Sequence, residues 1–272
     1  MATMLSQLRC NRLVSSGLRC SPVQLTRVFH ATPVQSTAEQ QTIDVEPLLY
    51  ATHIPTSCPE KALLATGSAA MALYDPTRDD MVAALGETTG LPALRAMLRR
   101  MRCDSVGQEI LRIKPVVNTK TVDMDRLRQL PPDTFGYAYA QFMDSHGYSP
   151  DERPPVKYVD DAELAYVMQR YREVHDFIHT LTGLPTSVYG EVVAKWFEML
   201  QTGLPMCMLS SFFGPLQLTF SEQLQLLGKG VPWAIQASSE AQFFMNVYYE
   251  RHFEEPLDSL RARMRVQSPN LQ

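Results

Sequence analysis

At 272 residues, 45% hydrophobic and 20% charged, the chain is long enough to bury a substantial core and has the composition of a folded protein. A formal net charge of −4 gives no global signal for nucleic acid. Five cysteines, at positions 10, 20, 58, 103 and 207, make no CxxC pair and no dense framework, which argues against disulfide stapling and against structural zinc held by cysteine. No apolar run reaches 18 residues, so no spanning helix is expected.

The first 38 residues differ from the rest. They carry Arg9, Arg12, Arg19 and Arg27, several serines and threonines, and no acid before Glu39, the composition of a mitochondrial transit peptide. Without those arginines, 21 basic residues face 29 acidic ones, so the folded part is distinctly acidic. The expected division is a leader over 1–38 and a single α-helical domain over 39–272.

After a connection, Ser57 or Thr56 caps a helix with Glu60 in capping-box position. Its small-residue run Gly67-Ser68-Ala69-Ala70 predicts close packing, and it stops near Asp75-Pro76. A helix over Asp79 to Leu85 ends at Gly86. Another covers Leu91 to Met101, with Arg95, Arg99 and Arg100 on its polar side and Arg102 just beyond as part of a basic patch. Ser105 opens a further helix, and Ile113 to Val122 is extended, with a short strand or nothing regular. A brief helix starts at Asp123 or Asp125 and ends at Leu130. Thr134 to His146 is aromatic-rich and helical, and a proline-rich loop follows from Gly147 to Tyr158.

Asp160 with Glu163 signals the start of the most strongly patterned helix, where Leu164, Val167, Met168, Tyr171, Val174, Ile178 and Leu181 recur at helical spacing. It ends at Gly183, and Pro185 suits the start of the next helix, which runs to about Gly203. The turn Thr182-Gly-Leu-Pro185 recurs as Thr202-Gly-Leu-Pro205, one turn solution used twice. A short apolar helix over Met206 to Phe213, a turn or two over Ser221 to Gly228, a long helix over Val231 to Tyr249 and a charged helix over Glu250 to Met264 complete an all-α fold.

The central hairpin, Arg170 to Gln201, carries the candidate chemistry. His175 and His179 share a helix face one turn apart, and Asp176 leans toward the same spot. Counting about 1.5 Å per residue from the turn places Glu191 opposite the two histidines. Two imidazoles and two carboxylates suit zinc or another divalent ion, with Asp176 either ligating or orienting a histidine. Glu198 reaches the same groove two turns further on. Lys195 offers a plainer account of Glu191, an ordinary i,i+4 pair. The HExxH, Walker, GxGxxG and GxSxG motifs are absent, as is the paired ExxH set of a di-iron bundle.

The run His175-Asp-Phe-Ile-His179, eleven residues, then Glu191 resembles the HDxxH-x11-E signature of the Coq-four family of ubiquinone-biosynthesis proteins. The stretches LLYATHIPTS, MALYDPTRDDMVAALGETTG, YVMQRYREVHDFIHTLTGLP and EVVAKWFEMLQTGLPM extend the resemblance over nearly everything after residue 45. The resemblance implies a divalent metal, usually Zn(2+), at His175, Asp176, His179 and Glu191. It also implies a peripheral place on the matrix side of the mitochondrial inner membrane and partnership with other coenzyme Q biosynthesis proteins. The implied activity is a carbon–carbon lyase, removing the C1 carboxylate of 4-hydroxy-3-methoxy-5-polyprenylbenzoate, oxidatively in one version, to give 2-methoxy-6-polyprenylphenol. The alternative is a non-catalytic scaffold that presents prenyl lipid and holds a structural metal; self-association stays open. A polyprenyl tail needs an apolar groove, and 204–220 with the small-residue helix at 67–70 are its candidates. One tension remains: four protein ligands on a tetrahedral ion leave no open position.

Overall fold

The computed structural model describes residues 48–75 and 78–270, and the expected leader over 1–38 lies outside them. Among the described residues the regular elements are all helical, and the only extended pairing is an isolated bridge between Thr134 and Pro256. Twelve α-helices follow in order: α1 Cys58–Tyr74, α2 Asp79–Thr89, α3 Leu91–Arg102, α4 Ser105–Ile113, α5 Met124–Arg128, α6 Phe135–His146, α7 Ala162–Thr182, α8 Val188–Thr202, α9 Pro205–Phe213, α10 Phe220–Gln225, α11 Val231–Glu240 and α12 Leu257–Met264.

The architecture is built around α7, where sixteen of 21 residues are buried. Its apolar stripe meets α3 and α6, and Phe177 packs its ring against Phe135, Tyr139 and Tyr249 at centroid distances of 5.4, 4.7 and 4.8 Å. Burying each such side chain contributes about 1.5–3 kcal/mol. The rest of α7 is polar yet inside. Arg170 is fully buried and makes two bonds to Glu250, at 2.6 and 2.9 Å. Arg172 reaches Glu87 of α2 at 2.6 Å, and Glu87 also accepts from the backbone N–H groups of Lys157 and Tyr158. These pairs fasten α2 and the loop before α7 to the central helix.

Several boundaries differ from the sequence expectation for identifiable reasons. The α7 cap is Asp161, whose carboxylate accepts from Glu163 N and Leu164 N; Asp160 instead pairs with His53 and Lys61. α2 runs through Gly86 to Thr89, because that glycine serves close packing rather than termination: a Cβ there would stand 2.3 Å from Met206 Sδ. Gly67 shows the opposite, with nothing near its Cβ position, so the small-residue run in α1 is not tightly packed at that point. Pro185 lies in the turn before α8, which is capped by Ser187 through Gly190 N. The long helix expected over Val231 to Tyr249 ends at Glu240. There Ala241 turns extended, Gln242 N bonds to Met264 O, and Phe243, Phe244 and Met245 turn into the core. The charged helix expected from Glu250 begins only after Pro256. The stretch 113–122 holds no strand.

Candidate metal centre

The α7–α8 hairpin closes through two left-handed glycines. Gly183 (φ 72°) ends α7 and Gly203 (φ 73°) ends α8, each with its N–H bonded four residues back. Between them, Gly190 passes so near the turn that a Cβ would stand 2.0 Å from Pro185 O. This close approach sets the start of α8, and Glu191 follows directly.

His175, His179 and Glu191 bring three ligand atoms to within 4.8 Å of one another. Glu191 Oε2 lies 3.6 Å from His175 Nε2, and Oε1 lies 3.2 Å from His179 Nε2. Two ligands about 2.1 Å from a tetrahedral ion stand about 3.4 Å apart, so both separations match a shared ion. The far side of each ring supports the same use. His179 Nδ1 donates to Leu184 O at 3.0 Å, and His175 Nδ1 donates to Glu198 Oε1 at 2.5 Å. With both Nδ1 atoms bonded outward, the rings direct their Nε2 atoms at Glu191. His179 Nε2 is buried and, despite its distance to Glu191, has no hydrogen bond. A buried polar atom so orphaned fits a position meant for a cation, and the donor set fits a divalent one.

Electrostatics also draw Glu191 to the two imidazoles. Burial raises the Glu191 pKa, but the two imidazoles more than offset it, and the carboxyl is held well below its ordinary range. Burial and Lys195 lower the His175 pKa, while Glu198 and Glu191 raise it to about 9, so a proton competes with metal there.

Asp176, the fourth residue of the sequence pattern, is buried on the same helix but pairs with Arg153 from the loop before α7. The plainer account of Glu191, a pair with Lys195, is not formed: Lys195 Nζ lies 2.7 Å from Glu198. Neither Arg153 nor the Lys195–Glu198 pairing carried a signal in the sequence beyond helical spacing. Arg153 lies in an irregular loop whose path depends on Glu87 and Arg172.

The three-residue cluster opens onto a cavity of about 620 Å³. Arg153, Asp176 and Lys195 line its polar end. Ala69, Ala72 and Leu73 of α1, with Leu209, Phe213 and Leu216 of the α9 region, line the apolar remainder. Both expected groove segments therefore contribute wall. Of the four arginines expected to form a basic patch, Arg100 stacks on Phe243 at 3.6 Å and Arg102 pairs with Glu163. No helix among the described residues is long and apolar enough to cross a membrane.

Comparison with known proteins identifies the family. Residues 50–270 match the family described as coenzyme Q (ubiquinone) biosynthesis protein Coq4. The chain is 51% identical over 224 residues to the mitochondrial ubiquinone biosynthesis protein COQ4 homolog of Bos taurus, covering 82% of this chain and 84% of that protein. It is 59% identical over 199 residues to the homolog of Nematostella vectensis, covering 72% and 96%, and 50% identical over 221 residues to that of Homo sapiens, covering 81% and 83%. A crystal structure from Nostoc punctiforme shares the fold, with a TM-score of 0.60 at 17% identity over 77% of this chain and 98% of that one.

Proposed function

The chain belongs to the coenzyme Q (ubiquinone) biosynthesis protein Coq4 family, and we propose that within ubiquinone biosynthesis it is a metal-dependent lyase. Its substrate would be 4-hydroxy-3-methoxy-5-polyprenylbenzoate and its product 2-methoxy-6-polyprenylphenol. The observation that carries this reading is the setting of His175, His179 and Glu191 at the polar end of a largely apolar cavity.

Three protein ligands leave a position open, whereas four would close a tetrahedral site. With Asp176 engaged by Arg153, the proposed set is His175, His179 and Glu191, and Asp176 holds the cavity wall. A divalent ion there, zinc by its donor set, would supply Lewis acidity and a template for a carboxylate. The chain's own residues do the rest. Arg153 and Lys195 set positive charge around the headgroup, and the α1 and α9 walls exclude water and accept the isoprenoid tail. In the reaction C1 gains a proton, the bond from C1 to the carboxyl carbon breaks, its electron pair returns to the ring, and carbon dioxide leaves. The para oxygen stabilises the positive character that the ring carries in between.

The same reading places the protein in the mitochondrion, peripheral to the matrix face of the inner membrane, among other coenzyme Q biosynthesis proteins. The names of its relatives support the compartment. The test is release of labelled carbon dioxide from carboxyl-labelled substrate by purified protein, with and without oxygen and with and without chelator. Metal-dependent release that is lost in His175→Ala supports the lyase. Prenyl lipid bound without turnover under every condition would replace it with a lipid-presenting scaffold.

A further inference from the structure

Behind the metal centre lies a second, largely internal polar cluster. Glu198, two turns along α8 from Glu191, is completely buried. Its two oxygens have different partners. Among the described residues Oε1 takes His175 Nδ1, at 2.5 Å, and Lys195 Nζ stands 3.5 Å from the same nitrogen. Oε2 accepts from Tyr171 OH at 2.6 Å and Lys195 Nζ at 2.7 Å, with Cys207 Sγ 3.8 Å away. A buried carboxylate is costly unless paired, and an apolar residue would pack the same space more cheaply. A simple ion pair with Lys195 explains Oε2 but leaves the dedicated contact from Oε1 without a purpose.

We propose that Glu198 is the positioning residue of the metal centre: anchored from behind by Tyr171 and Lys195, it accepts the hydrogen bond from His175 Nδ1 and fixes the ring with Nε2 toward Glu191 and His179. The inference rests on reading those three residues as metal ligands and goes beyond it by assigning what orients one of them. A flip of the His175 ring would place a carbon against Oε1 and forfeit the bond. The two histidines are thereby made unequal. His179 donates to a neutral carbonyl, Leu184 O, whereas His175 donates to a carboxylate, which makes its Nε2 the more strongly donating. The rings stand edge to face, 4.8 Å apart at 88°, so each Nε2 is aimed by its own ring's outer partner.

The experiment titrates the full-length protein with cobalt(II) against a competing chelator and records the visible spectrum of the bound ion. It compares wild type, Glu198→Gln and the double variant Lys195→Met with Glu198→Gln, which leaves no ammonium buried without its carboxylate. Melting of the metal-free proteins identifies which variants are folded. We expect affinity to fall about 10- to 100-fold in a folded variant, with a changed cobalt spectrum. A folded variant with wild-type affinity and spectrum overturns the positioning role and leaves the ligand assignment standing. If the wild type itself binds no cobalt, the ligand assignment falls and this inference with it.

Discussion

Glu191 Oε1 lies 3.2 Å from His179 Nε2, while the ring's other nitrogen, Nδ1, is bonded to Leu184 O at 3.0 Å. A proton or a metal ion between the two atoms holds them together, and the imidazoles keep the Glu191 carboxyl ionised. The pair is rigidly framed, by the glycine close approach before Glu191 and by the buried α7 behind His179.

His179→Ala therefore removes a ligand and a favourable partner of Glu191 in one step. Zinc affinity should fall by more than about 100-fold, beyond the usual loss on removing an outer partner. The metal-free protein should melt below wild type, because the attraction between the imidazole and the Glu191 carboxylate is lost along with the ring's volume. Competitive chelator titration and calorimetry of the metal-free protein check both halves.

Asp176→Asn separates its two readings. If Asp176 acts through Arg153 and not on the ion, zinc affinity stays within about tenfold of wild type, below the loss of a direct ligand. Stability should still fall, by about 1.5–3 kcal/mol, because a hydrogen bond to a charged partner is weakened. Denaturant unfolding supplies the second number, and a metal-binding loss equal to that of His179→Ala would make Asp176 a ligand.

Ala72→Phe fills the apolar part of the cavity without touching the polar end. Turnover of a long-chain prenylated substrate should drop at least about tenfold, equivalent to 1.4 kcal/mol of lost transition-state binding. Zinc affinity should match wild type. Equal turnover would place the tail elsewhere.

Acid should loosen α1 before the core. Burial raises the Asp160 pKa, but hydrogen bonds from Lys61 and His53 more than offset it, so the carboxyl is held below its ordinary value. A depressed folded-state value means that the unfolded chain binds the proton more readily. Its stabilisation is therefore present above the unfolded value of about 3.9 and lost as pH falls through the folded one. Hydrogen exchange in the first turns of α1 should accelerate over that window in wild type. In Asp160→Asn the acceleration should already be present at pH 5, with no further step of its own. An identical pH profile in the two proteins would assign the α1 attachment to other groups.

The all-α fold and the hairpin were legible because their signals are local. The stripe from Leu164 to Leu181, the glycines at 183 and 203, and the level of Glu191 against the histidines each follow from helical spacing. What escaped was set by tertiary contact. Nothing local says that Arg170, Arg172 and Glu173 lie inside, since each is buried through a partner or backbone group 56 to 85 positions away. Lys195 prefers Glu198 to Glu191 because Glu198 is fully buried and needs compensation. Pairing Asp176 with Arg153 required the path of an irregular loop, and the end of α11 at Glu240 required the core to claim Phe243 and Phe244.

The most direct test is anomalous diffraction at the zinc edge from crystals of the zinc-loaded protein. The account predicts one ion about 2.0–2.2 Å from His175 Nε2, His179 Nε2 and a Glu191 oxygen, with a coordination position open to the cavity. An ion held elsewhere, or one closed off by a fourth protein ligand from Asp176, would contradict it.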